Sequence, residues 1–259
     1  GTWFVDMCVI FSGTFRIKLS GSPGDTIAFR AGERIYEDGT LNPMTAVIGQ
    51  IKRPGVGGPG APDIAWQGAQ YIIGNEDGQW FQPEFTYLTF RYLEIVGLAQ
   101  KPAIENIKGL FLHTNVEATN HFSSSSTLLN SIQEATQRTF LANLVSVQSD
   151  CPAREKFGYG GDINATSESF IYNFDMQDFY RKTIYDWVDA MNDSTFIDTA
   201  PFVGIQYCGI SWESAFLTTQ YYLYLYYKDT DIIKELYELD KAWMGKAARL
   251  HPDGLVEQG

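Results

Sequence analysis

The sequence predicts a chain of two unlike parts, an antiparallel β-sandwich of jelly-roll type followed by a helical region. Two observations carry this. Up to about Asn115 apolar residues alternate with polar ones and turn signals recur at short intervals, whereas from about Ser123 the apolar period becomes helical. The boundary is placed at 118, giving a β-domain over 1–118 and a helical domain over 119–259.

In the first part, Phe15, Ile17 and Leu19 alternate with Thr14, Arg16 and Lys18, a half-buried strand stopped by Gly21-Ser-Pro-Gly24. Ile27 and Phe29 repeat the pattern over Thr26–Ala31, before the turn Glu37-Asp-Gly-Thr40. Further strands are expected over Tyr71–Ile73, Phe85–Val96 and Ile107–His113. Between them, the Pro- and Gly-rich stretch Arg53–Pro62 reads as a loop. Gly55, Gly57 and Gly60 spell a dinucleotide fingerprint there. Pro54 and Pro59 remove amides that would cradle a pyrophosphate, and no clear strand-to-helix transition surrounds the string, so nucleotide binding is not expected.

In the second part, a helix capped within Ser124–Ser126 should run toward Leu144, and a second should span Thr166–Met191. A third is expected over Ser211–Tyr227, and a fourth opens at Thr230-Asp231 and stops before His251-Pro-Asp-Gly254. Trp187 and Trp243 lie mid-helix in apolar stripes and read as core. The run Tyr221–Tyr227 covers every face of its helix, which suits packing better than a sugar platform.

Composition narrows the function. With 44% hydrophobic residues over 259 positions the chain can bury a sizeable core, and a net charge of −12 disfavours nucleic acid and anionic membranes. No apolar run approaches the ~18 residues of a membrane span. Cys8, Cys151 and Cys208 are too few and scattered for a disulfide framework or zinc set, and read as reduced, buried thiols. His113, His121 and His251 are equally dispersed, so neither a metal nor a cofactor is expected. Cytoplasmic, periplasmic and secreted locations all stay open.

The chemistry concentrates in Asp150-Cys-Pro-Ala-Arg-Glu-Lys-Phe-Gly-Tyr-Gly-Gly-Asp162. Its carboxylates Asp150, Glu155 and Asp162 share a segment too rich in Pro and Gly to be helix. Clustered carboxylates raise the pKa of at least one member, and a carboxylic acid kept protonated near neutrality can act as a general acid. Phe157 and Tyr159 add apolar plates, and Arg154 five fixed donors. Together these suggest a sugar site. Glu155 could instead simply pair with Arg154 or Lys156. Asp162 could cap a helix opening at Asn164, and Asp150 could brace the Cys-Pro turn.

This segment resembles the signature of the bacterial α-L-rhamnosidases, family 78 of the glycoside hydrolases. Asp150, Cys151, Pro152, Arg154, Glu155, Gly158, Tyr159, Gly161 and Asp162 fall in step with it without a gap. Pro83–Ile95 looks like the strand pair that precedes the family's catalytic domain, and Leu112-His-Thr-Asn115 like its last strand before the first barrel helix. The likeness runs from about Asp6 to the end. It implies that the helices belong to an (α/α)6 barrel of a dozen helices, of which this chain supplies about four. The chain is therefore expected to be an internal fragment, with the rest of the polypeptide completing the barrel and covering apolar helix faces.

The resemblance further implies inverting hydrolysis of a rhamnose-containing carbohydrate. Glu155 would be the general acid, Asp150 and Asp162 would bind sugar hydroxyls, and the general base would lie beyond this sequence. Arg154 would hold neighbouring carboxylates or a hydroxyl. Tyr159 stands where the family usually has Trp, which bears on sugar preference. Trp212-Glu213-Ser-Ala resembles a Trp-Gly-Asp-Ala element, making Trp212 and Glu213 substrate-binding candidates. A related barrel glycosidase for another sugar and a non-catalytic carbohydrate-binding protein are the alternatives.

Overall fold

The computed structural model describes residues 1–46, 67–75, 78–191, 196–204 and 209–254. The chain divides into two compact units. One holds Gly1–His113 with Leu141–Asn143 and Cys151–Lys156, the other Thr114–Phe140, Leu144–Asp150 and Phe157–Gly259. The Gly55/Gly57/Gly60 string and Cys208 lie outside the described residues.

The first unit is antiparallel β. Its strands are β1 (Thr2–Leu19), β2 (Thr26–Gly32), β3 (Arg34–Ile35), β4 (Leu41–Asn42), β5 (Gln67–Ile72), β6 (Gln79–Phe81), β7 (Leu88–Val96) and β8 (Ile107–Phe111). Six form one sheet in the order β5-β2-β7-β1-β6, with β8 also on β1, while β3 and β4 pair separately. The predicted alternation holds where it was read: Phe15, Ile17, Leu19, Ile27, Phe29, Phe90, Leu93 and Ile95 point into one core.

β1 is much longer than the expected strand. Its first half hides from a period-two reading because Phe4 is outward-facing and apolar, and because a bulge follows. Pairing with β7 jumps from Asp6↔Tyr92 to Phe11↔Phe90, and Cys8 sits in the bulge at φ 69°. The bulge is stapled by Arg91, whose Nε and Nη2 each donate to the Asp6 carboxylate at 2.8 Å. That pairing, with the Cys8 amide, lowers the Asp6 pKa to about 2. Cys8 is thus exposed rather than buried, and Cys151 is half-buried; neither forms a disulfide. Two other expectations shift. Pro83–Ile95 contributes a single strand beginning at Leu88, and the last strand of the sheet ends at Phe111, so Leu112–Asn115 is not strand.

The second unit contains α1 (Thr127–Ala142), a tight hairpin of β9 (Leu144–Val145) and β10 (Val147–Gln148), α2 (Gly160–Asn173), α3 (Gln177–Ala190), α4 (Ile210–Glu213), α5 (Ala215–Tyr227) and α6 (Thr230–Leu250). The expected helix over Thr166–Met191 is two helices. Phe174 is extended and bridges Ala118, and the Asp175 amide donates to the Glu117 carbonyl, so backbone pairing interrupts an unbroken apolar period.

Phe140 stacks on Phe170 at 4.0 Å and Phe196 on Phe216 at 3.9 Å, and Trp187 and Trp243 are buried as expected. Apolar side chains nevertheless remain exposed on α1 (Leu128, Leu129, Ile132) and on α5 (Tyr221, Tyr224). Among the described residues no helix is long and apolar enough to cross a membrane.

Candidate active site

The signature residues fall in both units, and each unit explains part of the signature. In the β-unit, residues 152–155 form a turn that packs onto the sheet. The Glu155 amide donates to Cys151 Sγ at 3.2 Å, and the Lys156 amide to the Cys151 carbonyl at 3.1 Å. Lys156 takes the left-handed conformation, φ 61°, as residues that close a helical turn do.

Thr89 anchors this turn. Its Oγ1 donates to the Pro152 carbonyl at 2.8 Å and meets Ser12 Oγ at 2.9 Å, and Gln67 clamps its backbone with two bonds of 2.8 Å. Lys156 Nζ donates to the Tyr87 carbonyl at 2.7 Å and lies 3.9 Å from that tyrosine's ring centroid; its burial lowers the ammonium pKa. Arg154 is exposed, and its charge acts on Glu33. Burial raises the Glu33 carboxyl pKa, and Arg154 and then Arg34 oppose the rise. Glu33 was not singled out from sequence, since nothing in a strand-end glutamate announces a partner more than a hundred residues on.

In the helical unit Asp150 and Phe157 exchange two bonds. The Asp150 amide donates to the Phe157 carbonyl at 3.1 Å, and the Phe157 amide to Asp150 Oδ1 at 3.2 Å. The carboxylate of Asp150 thus helps close the base of the loop. Farther along, Gly158–Gly160 pair with Asp198–Ala200: the Gly160 amide donates to the Asp198 carbonyl at 2.8 Å, and the Ala200 amide to the Gly158 carbonyl at 3.0 Å. A Cβ on Gly158 would stand 2.4 Å from the Ala200 carbonyl oxygen, so this position has room only for glycine.

α2 starts at Gly160, earlier than the sequence suggested, with Tyr159 at its N-cap position and Asp162 in its first turn. Asp162 is therefore not the cap. Its carboxylate lies where the amide end of the helix favours negative charge. Its carbonyl accepts Thr166 Oγ1 at 2.6 Å. Tyr159 is half-buried with its ring 5.9 Å from Phe157.

Trp212, on α4, packs over the two glycines. A Cβ on Gly161 would come within 2.5 Å of its indole, and one on Gly160 within 2.1 Å of its carbonyl oxygen. Asn164 Nδ2 ties the same region together by donating to the Ser211 carbonyl at 3.1 Å. The structure thus brings Trp212 to the Gly160–Asp162 end of α2.

Glu213, one residue on, is directed to α6. It is 7% exposed and accepts Trp243 Nε1 at 2.7 Å. Burial raises its carboxyl pKa, the Trp243 bond opposes the rise, and the charge of buried Asp198 adds to it. The segment Asp198–Ala200, which both lines the glycine turn and influences Glu213, carries no motif by which it could have been found.

Two family models match the chain. Residues 1–113 match the bacterial alpha-L-rhamnosidase concanavalin-like domain, so the likeness begins before Asp6. Residues 117–258 match the bacterial alpha-L-rhamnosidase 6 hairpin glycosidase domain. An alpha-L-rhamnosidase of Formosa agariphila is 30% identical over 249 residues, covering 92% of this chain and 25% of that protein. One from Streptomyces avermitilis is 29% identical over 259 residues, covering 99% and 24%.

Among solved structures, the alpha-L-rhamnosidase from Dictyoglumus thermophilum superposes with a TM-score of 0.88 at 34% identity, over 100% of this chain and 28% of that one. The Streptomyces avermitilis alpha-L-rhamnosidase complexed with L-rhamnose gives 0.83 at 27%, over 97% and 23%. The chain spans about a quarter of the length of these curated relatives. With a β-unit and a helical unit each matching its own domain of one enzyme family, the chain belongs to the bacterial α-L-rhamnosidases.

Proposed function

We propose that the polypeptide to which this chain contributes is a glycoside hydrolase that removes terminal α-L-rhamnosyl residues with inversion. The ungapped register of Asp150–Asp162 with the family signature carries the reading, supported by relatives named alpha-L-rhamnosidase. Residues 1–118 serve as the sandwich domain and 119–259 as the first part of the barrel.

In the reaction, Glu155 gives its proton to the glycosidic oxygen as the bond to the anomeric carbon breaks. A water attacks that carbon from the opposite face and loses a proton to a carboxylate base ~6.5–9.5 Å away. That base is assigned to the part of the enzyme that this chain does not span. Asp150 and Asp162 accept sugar hydroxyls, Arg154 donates to a carboxylate or hydroxyl, and Tyr159 and Trp212 offer flat faces to the deoxy sugar. Glu213 serves indirectly, by accepting the Trp243 Nε1–H and so tying α4, which carries Trp212, to α6.

The test is Glu155→Gln in the whole polypeptide on an aryl α-L-rhamnoside. Loss of a general acid lowers kcat about 10²–10⁴-fold, and less when the leaving phenol is acidic. Equal rates for the two proteins would remove Glu155 from the role. Because Tyr159 replaces the usual Trp, a second reading is a different sugar. A panel of aryl glycosides decides it, with rhamnoside expected first.

A further inference from the structure

We infer that the β-unit carries a second saccharide site, centred on Trp80 and selective for a sugar bearing a carboxylate. Trp80 lies on β6, next to β1 at the edge of the sheet, and is 39% exposed. Its neighbours on the outer face are cations. The guanidinium of Arg16 stands 5.1 Å from its ring centroid and the ammonium of Lys108 5.5 Å, and Lys18 is its direct cross-strand partner. Arg16 and Lys108 face each other across the β1–β8 pair. Three cations thus gather around one exposed indole in a chain of net charge −12, and Glu84 is the acid that lines the groove beside it.

The indole borders an open groove of about 580 Å³ lined by Arg16, Tyr71, Trp80, Phe81, Gln82 and Glu84. Each kind of group has a counterpart in an acidic sugar. Aromatic faces take the C–H side of a pyranose ring. Arg16 offers a planar fork that matches a carboxylate, with Lys108 as a second positive charge. Gln82 and Glu84 supply an amide and a carboxylate for hydroxyls.

That the ligand is a saccharide rests on the rhamnosidase reading; that it is anionic rests on the groove. Calorimetric titration of the whole polypeptide with trigalacturonate, and with its methyl ester as neutral counterpart, separates the two. Binding of the acid is expected to be at least tenfold tighter than that of the ester. It should fall at least tenfold in Trp80→Ala and Arg16→Gln, survive in Trp80→Phe, and weaken with added salt. Glu155→Gln should bind as the wild type does. Equal binding of ester and acid, or binding indifferent to Trp80→Ala, overturns the site. So does binding that is lost in Trp212→Ala and kept in Trp80→Ala, which would move the ligand to the candidate active site. Hydrolysis of a simple aryl rhamnoside by Trp80→Ala should match wild type, so the catalytic reading stands or falls separately.

Discussion

The indole of Trp212 lies against Gly161 so closely that a single added carbon on that glycine would stand 2.5 Å from it. Two stretches fifty residues apart, each singled out for a sugar, are thereby one packed unit. The glycine pair at the start of α2 is the seat of the tryptophan, and the tryptophan fixes where the first turn of that helix can lie.

Substitution at the two glycines should therefore separate. In an ordinary helix Gly→Ala stabilises by about 1 kcal/mol. Here Gly161→Ala should destabilise by about 1–3 kcal/mol through overpacking, and Trp212→Ala in the same chain should restore most of it. Gly160→Ala should be at least as costly and should not be rescued, because its obstacle is the Trp212 backbone carbonyl at 2.1 Å. Chemical denaturation of the four variants checks the pattern.

Thr89 offers a way to loosen the Glu155 turn without touching it. Thr89→Val keeps shape but removes the bond to the Pro152 carbonyl and the partner of Ser12 Oγ. Stability should fall by about 1–3 kcal/mol for the polar groups left behind. On the proposed reading, kcat on an aryl rhamnoside should fall while KM changes little, since the acid and not the sugar pocket is displaced. Unchanged kcat in a folded Thr89→Val protein would show that the turn is held by other means.

What could be read from the sequence follows from what is local. The strands over Thr26–Gly32 and the end of β1 were legible because each buries one face, and α6 because its opening, Thr230-Asp231, and its stop, His251-Pro252, are written nearby, whereas the single helix expected over Ser211–Tyr227 is α4 and α5, divided at Ser214. The start of β1 was not, since its bulge breaks the alternation. The gap between α2 and α3 was hidden as well, because the pairing of Asp175 with Glu117 that opens it is nonlocal. At the site, the signature was visible as a string. The reasons for Cys151 as an acceptor for the Glu155 amide, and for Gly158 and Gly161 as close approaches to Ala200 and Trp212, needed coordinates.

Glu213 should make stability depend on pH in a definite direction. Its folded-state carboxyl pKa is raised above the ordinary 4.5 by burial, so the folded protein holds that proton more tightly than the unfolded chain. The contribution is complete below about pH 4.5 and is lost as pH rises through the folded value. Glu213→Gln keeps an acceptor for Trp243 Nε1 and has no proton to lose. The variant's melting temperature relative to wild type should be flat below pH 4.5 and should climb above it, each unit of raised pKa being worth about 1.4 kcal/mol. A difference that is constant from pH 4 to pH 8 would mean that the carboxyl titrates alike in both states.

Asp229 should do the opposite, at the start of α6. It is 8% exposed, caps the helix by accepting the Ile232 amide at 3.3 Å, and is ion-paired with Arg181. Burial works to raise its pKa, but Arg181 and the cap amide outweigh that and hold it below the ordinary 3.8. Its stabilisation is present above that value and lost as pH falls below it. Asp229→Ala removes cap and charge together and should cost about 2–4 kcal/mol, with Arg181 left without its carboxylate. Asp229→Asn keeps the cap and should recover about 1 kcal/mol of that. Helix melting followed by circular dichroism at pH 7 and pH 3 resolves the two parts: the Ala–Asn gap persists at both, whereas the gap between Asn and wild type shrinks at the lower pH. If the second gap is the same at pH 3, the Arg181 pair contributes nothing as a pair of charges, and Asp229 is only a cap.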